Sequence, residues 1–262
     1  MTTLTVPAQD SATMLGRELK HTQRYPLLLV GSILVPVVFL LLFVYILGGP
    51  IGHGLGPAAR GSSYVDFLTP GVLMMTVAAG TSGTAISVCL DMTGGIIGRL
   101  RTMAVTRGSM LTGHVGANVL RSLVTTAVVT GVALLVGFRP HASALGWLAV
   151  VGIIAAFSFA LAWLSVAIGL SAKTVAGANS LTLPLQFLLP FLSSAFVPAD
   201  SMPAGVRWFS EHQPFTPVVN CLRGLLAGTP VGGTAYVALA WCAVIALAGY
   251  LWARAGFRRG TR

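Results

Sequence analysis

The side chains able to do covalent or metal chemistry are few and scattered. The 262 residues hold six carboxylates, five histidines and three cysteines. Asp10, Glu18, Asp66, Asp91, Asp200 and Glu211 form no paired-carboxylate site, and there is no HExxH run and no Ser/His/Asp arrangement. His21, His53, His114, His141 and His212 stand singly, with no Cys/His spacing of a zinc site. Cys89, Cys221 and Cys242 are an odd number in separate parts of the chain, so no intrachain disulfide is expected. A phosphate-binding Walker loop needs Gly-Lys-Ser/Thr. The two lysines, Lys20 and Lys173, follow Leu19 and Ala172, so the chain lacks that motor.

Arginine is what the chain does concentrate. The run DMTGGIIGRLRTMAVTRGSM, residues 91–110, carries Arg99, Arg101 and Arg107 in a protein with only 8% charged residues. Ile96, Leu100 and Met103 recur at i, i+4 and i+7, the spacing of one apolar face on a short helix lying along a surface. Two readings stay open on residues alone: a basic membrane anchor, or an element that docks in a partner's groove.

The elements that position this run are apolar. Hydrophobic residues are 55% of the chain and the mean hydropathy is +0.85, against about 25% charged residues in an ordinary soluble domain. Such a chain cannot cover itself with polar surface, whereas a bilayer accepts helices that are apolar all round. About 20 apolar residues cross a hydrocarbon core. Six stretches qualify, 26–47, 67–90, 115–138, 144–170, 174–197 and 234–253, and Arg121 is the one charge among them. The alternation of a membrane barrel is absent. The first stretch is too long for a cleaved signal core and reads as a retained span.

Twelve basic residues, Arg17, Lys20, Arg24, Arg99, Arg101, Arg107, Arg121, Lys173, Arg254, Arg258, Arg259 and Arg262, share one side if the N-terminus is cytoplasmic; Arg60, Arg139, Arg207 and Arg223 take the other. This asymmetry places both termini in the cytoplasm. It also explains the net charge of +10 as anchoring; dispersed over several loops, the charge is no nucleic-acid surface.

Residues 11–25 set Ala12, Leu15 and Leu19 on one side and Arg17, Lys20 and Arg24 on another, which suits an amphipathic entry helix or simply a basic flank. Pro36, Pro184 and Pro190 should bend spans one and five, and Pro70-Gly71 fits a helix start. Span four is rich in Gly and Ala, which suits close packing. The segment 198–233 mixes prolines with Trp208, Phe209, Phe215 and Leu222, so short helices lodged in the outer interface, or a shallow re-entrant pair, are expected to cap the bundle there.

The whole chain resembles the permease subunits of type-2 ATP-binding cassette exporters, in particular the daunorubicin-resistance-like branch. DMTGGIIGRLRTMAVTRGSMLTGHV is similar to that family's linker between spans two and three, FVPADSMPAGVRWFSEHQPFTPVVNCLRGLLAG to its outer signature, and FLTPGVLMM to the start of its second span. Thr93, Ala104 and His114 depart from the family's usual residues.

The resemblance implies one all-α, six-span permease domain over 1–262, with the entry helix at 11–25, a cytoplasmic coupling region at 91–110 and outer helices within 198–233. It implies a dimer of permeases, homo- or heteromeric, in lipid, above two separate ATPase subunits that bind ATP and Mg. This chain itself is then non-catalytic and binds no cofactor or metal. Arg99, Leu100, Arg101, Met103, Val105 and Arg107 would contact the ATPase, with Arg17, Glu18 and Lys20 of the entry helix beside them. Met74, Met75, Phe187, Phe191 and Phe196 would face an apolar or amphipathic cargo: a drug, antibiotic or lipid leaving the cytoplasm or inner leaflet. A lipid-linked glycan exporter, and a motorless channel or scaffold, are the alternatives. The excess of arginine over lysine, with abundant alanine, glycine and valine, fits a GC-rich bacterium and an inner-membrane location.

Overall fold

The computed structural model describes residues 26–47, 64–93 and 109–260, and these are helical apart from short connections. We label α1 Pro26–Leu41, extended by a π-helical stretch Leu42–Leu47; α2 Tyr64–Thr93; α3 Ser109–Val136; and α4 Ala144–Ser171. α5 is Val175–Leu183, followed by a π-helical stretch Pro184–Leu188 and a last turn Leu189–Phe191. α6 is Ala204–His212, α7 Phe215–Ala227 and α8 Gly232–Gly260.

Among the described residues, four helices are long and apolar enough to cross a membrane: Tyr64–Thr93, Leu111–Val136, Ala144–Ser171 and Gly232–Gly256. Ile33–Ile46 and Phe215–Ala227 are shorter apolar helices. α4 is apolar all round and is the hub, packing against α8, α2 and α3. Lipid tails are as apolar as leucine, so helices in a bilayer associate by close fit rather than by hydrophobic expulsion from water. Glycine supplies that fit. A Cβ on Gly249 of α8 would stand 2.6 Å from the Leu164 backbone of α4, and one on Gly169 of α4 would stand 2.5 Å from Ala85 O of α2.

Two elements depart from expectation. α2 starts at Tyr64, so Pro70 lies in its second turn and Pro70-Gly71 does not open the helix. Gly71 instead lets the chain near Ala195 pass, since a Cβ there would stand 2.7 Å from Ala195 O. Span five was expected to continue to 197, but its helix ends at Phe191. Pro184 cannot donate, and Leu189 N–H bonds back to Pro184 O, one residue farther than in an α-helix. Pro190 then ends the helix, and Ser193 Oγ takes over by donating to Pro190 O at 2.6 Å. The turn that follows tucks Ser194, Ala195 and Phe196 into the interior.

The outer pieces read from 198–233 fold as α6 and α7. α7 ends on Gly228, whose φ of +70° is the left-handed cap that glycine adopts without strain.

Candidate functional site

The proposed ATPase-contacting residues Arg99, Leu100, Arg101, Met103, Val105 and Arg107, and the entry-helix residues Arg17, Glu18 and Lys20, lie outside the described residues. Their stems are described. α2 ends and α3 begins on either side of the linker, and there His114 Nε2 lies 3.0 Å from Asp91 Oδ2, both side chains largely buried. At that distance the ring N–H donates to the carboxylate.

One turn further along α3, Asn118 is 2% exposed. Its Nδ2 donates to Gly80 O at 2.9 Å and to Thr84 Oγ1 at 2.6 Å, both on α2. Its Oδ1 accepts from Ser122 Oγ at 3.4 Å and from Ser158 Oγ of α4 at 3.2 Å. Two donors and two acceptor positions are all an asparagine amide has. Arg121 donates through Nη2 to Thr84 Oγ1 at 3.3 Å, its guanidinium lying over the bare backbone of Gly83. The charge found within span three is thus held against α2.

The aromatic candidates separate. Phe196 is buried and stacks on both Phe43 and Phe191, with centroids 4.9 Å from each, the two being 6.4 Å apart themselves. Phe191 and Phe187 are 39% and 38% exposed. Phe39 of α1 joins the cluster edge-on to Phe191 at 5.8 Å. Phe39 and Phe43 were missed on the sequence, although their i, i+4 spacing on one helix face was the available signal. Met74 and Met75 are fully buried, in the same hydrophobic core as Phe43 and Phe196. Nearer the linker, polar groups join the exposed leucines: Ser82 Oγ of α2 donates to Asn179 Oδ1 at 2.6 Å, exposed, and the half-buried Gln186 Nε2 donates inward to the buried Thr182 Oγ1 at 3.0 Å.

At the far end, Arg223 of α7 ties three segments together. Its Nε and Nη2 donate to Phe67 O at 3.4 and 3.2 Å, Nη2 also to Ser194 O at 3.1 Å, and Nη1 to Asn220 Oδ1 at 2.8 Å. The guanidinium lies 3.9 Å above the Phe67 ring. Cys89, Cys221 and Cys242 are free and buried. Among the described residues no cluster of His, Cys, Asp or Glu could hold a metal ion.

Residues 10–227 match the family model described as ABC-2 type transporter. The chain belongs to the ABC-2 type transporter family. It is 28% identical over 217 residues, 83% of this chain and 75% of the relative, to the daunorubicin resistance ABC transporter permease protein DrrB1 of Streptomyces coeruleorubidus. Over 246 residues, 94% of this chain and 87% of the relative, it is 25% identical to the probable doxorubicin resistance ABC transporter permease protein DrrC of Mycobacterium tuberculosis. It is also 26% identical over 209 residues, 78% of each chain, to the inner membrane transport permease YadH of Escherichia coli. This is therefore a multi-pass membrane permease of the type-2 class. Its polar contacts and open aromatic face belong to a transport protein built of helices.

Proposed function

We propose that this permease exports an amphipathic, ring-bearing compound from the inner leaflet or cytoplasm of a bacterial inner membrane, driven by two separate ATPase subunits that bind ATP and Mg. In this reading α1 and α5 cross the bilayer with the four long apolar helices, giving six spans with both termini cytoplasmic. Two permease copies, alike or different, meet across α2 and α5, and the cargo passes between them.

One observation supports the cargo face most directly. The exposed faces of α4 and α8 carry Leu145, Leu148, Val151, Val244, Leu247 and Leu251, as a lipid-facing surface should. The α2–α5 side also exposes Leu181, Leu183 and Leu188, but it adds the exposed Ser82–Asn179 pair and the half-buried Gln186 within membrane-spanning stretches, with Phe187 and Phe191 beyond them. An exposed amide such as that of Asn179 is unfavourable against hydrocarbon. These groups suit a cargo whose polar group hydrogen-bonds near the linker end while its rings lie on phenylalanine. Met74 and Met75, in the same core as Phe196, supply deformable packing, since thioethers adapt to varied shapes. The names of the relatives, resistance permeases for daunorubicin and doxorubicin, point to the same chemical class.

The linker residues Arg99, Leu100, Arg101, Met103, Val105 and Arg107 receive the push of the ATPase in this scheme, with Arg17, Glu18 and Lys20 alongside. Transport then requires that the cargo bind the two packings of the dimer with different affinity. The test is purification of the full chain with the ATPase encoded beside it, followed by hydrolysis assays in proteoliposomes with doxorubicin and a panel of planar aromatic amines. Stoichiometric co-purification and hydrolysis stimulated several-fold are expected. Active transport by the lone chain without nucleotide overturns the reading.

A further inference from the structure

His114, Asn118 and Ser122 follow one another at four-residue intervals, which places them on one stripe of α3. The first reaches Asp91 at the foot of α2, and the second reaches Gly80 and Thr84 of α2 and Ser158 of α4. Gly80 lies eleven residues from Asp91 along α2, so the ladder climbs about 16 Å from the linker at 1.5 Å per residue. Among the described residues no comparable ladder of buried side-chain hydrogen bonds joins α5 to the bundle. Apolar packing of Ala178 and Leu185 with Ala85, Cys89 and Ile168 holds it there, and its side-chain bond to α2 is the exposed Ser82–Asn179 pair.

We propose that this ladder makes α2, α3 and α4 one rigid body, and that Asp91, His114 and Asn118 are positioning residues that carry a displacement of linker 94–108 to mid-membrane. The inference rests on the reading above that an ATPase pushes on that linker. A push on a loop between two independent helices is lost if the stems scissor or slide. Apolar packing in lipid resists sliding weakly, because lipid tails replace a lost leucine contact at little cost, whereas hydrogen bonds of fixed direction hold register. The tie between Asp91 and His114 stands two residues before the end of α2 and five after the start of α3, so both stems must move together. The seam that moves is then α2 against α5 on the linker side, where Ser82 and Asn179 lie, pivoting about the far end that Arg223 ties together.

The experiment uses the full chain with its ATPase, spin-labelled pairwise at the exposed positions Val128 of α3, Val151 of α4 and Leu188 of α5. Distances are compared without nucleotide and with Mg-ATP trapped by vanadate, so no cargo is needed. The Val128–Val151 distance is expected to hold within about 2 Å while Val151–Leu188 changes by more. His114→Arg, which keeps an N–H donor opposite Asp91, should behave as the wild type. His114→Leu and Asn118→Leu should broaden the first distance, shrink the change in the second and cut cargo-independent transmission at least threefold. If Asn118→Leu does not insert, the two His114 variants decide alone. A wild-type change in Val128–Val151 as large as that in Val151–Leu188, or identical behaviour of His114→Arg and His114→Leu, overturns the ladder. Failure of any ATPase to co-purify or to alter any distance refutes the motor reading instead.

Discussion

At the residue scale, Arg223 shows why one side chain type is required. A planar fork of five N–H donors reaches Phe67 O, Ser194 O and Asn220 Oδ1 at once while its face lies on the Phe67 ring. Lysine offers one nitrogen and cannot span those acceptors. Arg223→Lys and Arg223→Met should therefore both loosen α7 from α2 and from the turn after α5. Each hydrogen bond to a charged group contributes about 1.5–3 kcal/mol, so a loss of about 2–4 kcal/mol is expected as a lower thermal midpoint in detergent. An unchanged midpoint for Arg223→Met removes this role. Gly249 makes a second case, because a larger side chain must displace α4 backbone at 2.6 Å. Gly249→Leu should cost about 1–3 kcal/mol through overpacking, while Gly152→Ala, with nothing within 4 Å of its Cβ, should be silent in the same assay.

The elements, taken one at a time, divide packing from cargo contact. Phe196 is buried and packs on two other rings, and Phe187 is open. Phe196→Ala should destabilise by about 3–5 kcal/mol through the cavity it leaves. Phe187→Ala should leave the thermal midpoint unchanged and alter which aromatic compounds stimulate hydrolysis. Equal effects of the two on stability would show Phe187 to be a packing residue. The existence of α1 to α5, α7 and α8 was legible from apolar length and from the proline and glycine punctuation. The end of α5 was not. Residues 192–197 are as apolar as the helix before them, and directed bonds turn them inward: Ser193 Oγ to Pro190 O, Ser194 N to Thr216 Oγ1, Ser194 Oγ to Asn220 Oδ1 and Arg223 Nη2 to Ser194 O. The partner Thr216 is twenty-two residues away, beyond the reach of any local pattern.

For the whole molecule the prediction concerns where work enters. Arg101→Glu combined with Arg107→Glu should leave insertion intact and reduce cargo-stimulated hydrolysis and export about tenfold or more, since like charges now face whatever acidic groups receive the linker. A double variant that assembles and exports normally would leave the arginines as anchors. Orientation has its own check: a cysteine at Ser109, beside the linker, should be labelled from the cytoplasm, and one at Thr229, beyond α7, from outside. Labelling in the reverse sense inverts the topology and with it the coupling scheme.

The amino-acid sequence by itself determined the membrane class, the apolar helices, the lack of a nucleotide-binding loop and the resemblance to exporter permeases. Composition, hydrophobic length and short motifs are local properties, and these conclusions need nothing else. The tertiary structure alone decided that Asp91 meets His114, that Asn118 spends all four of its hydrogen-bonding positions on three helices, and that Met74, Met75 and Phe196 are buried while Phe187 stays open. Such pairings depend on how far each helix is rotated and shifted against its neighbours. In a bilayer that register is set by close backbone approach at residues such as Gly169 and Gly249 and by a few directed hydrogen bonds, and neither is written in the periodicity of one helix.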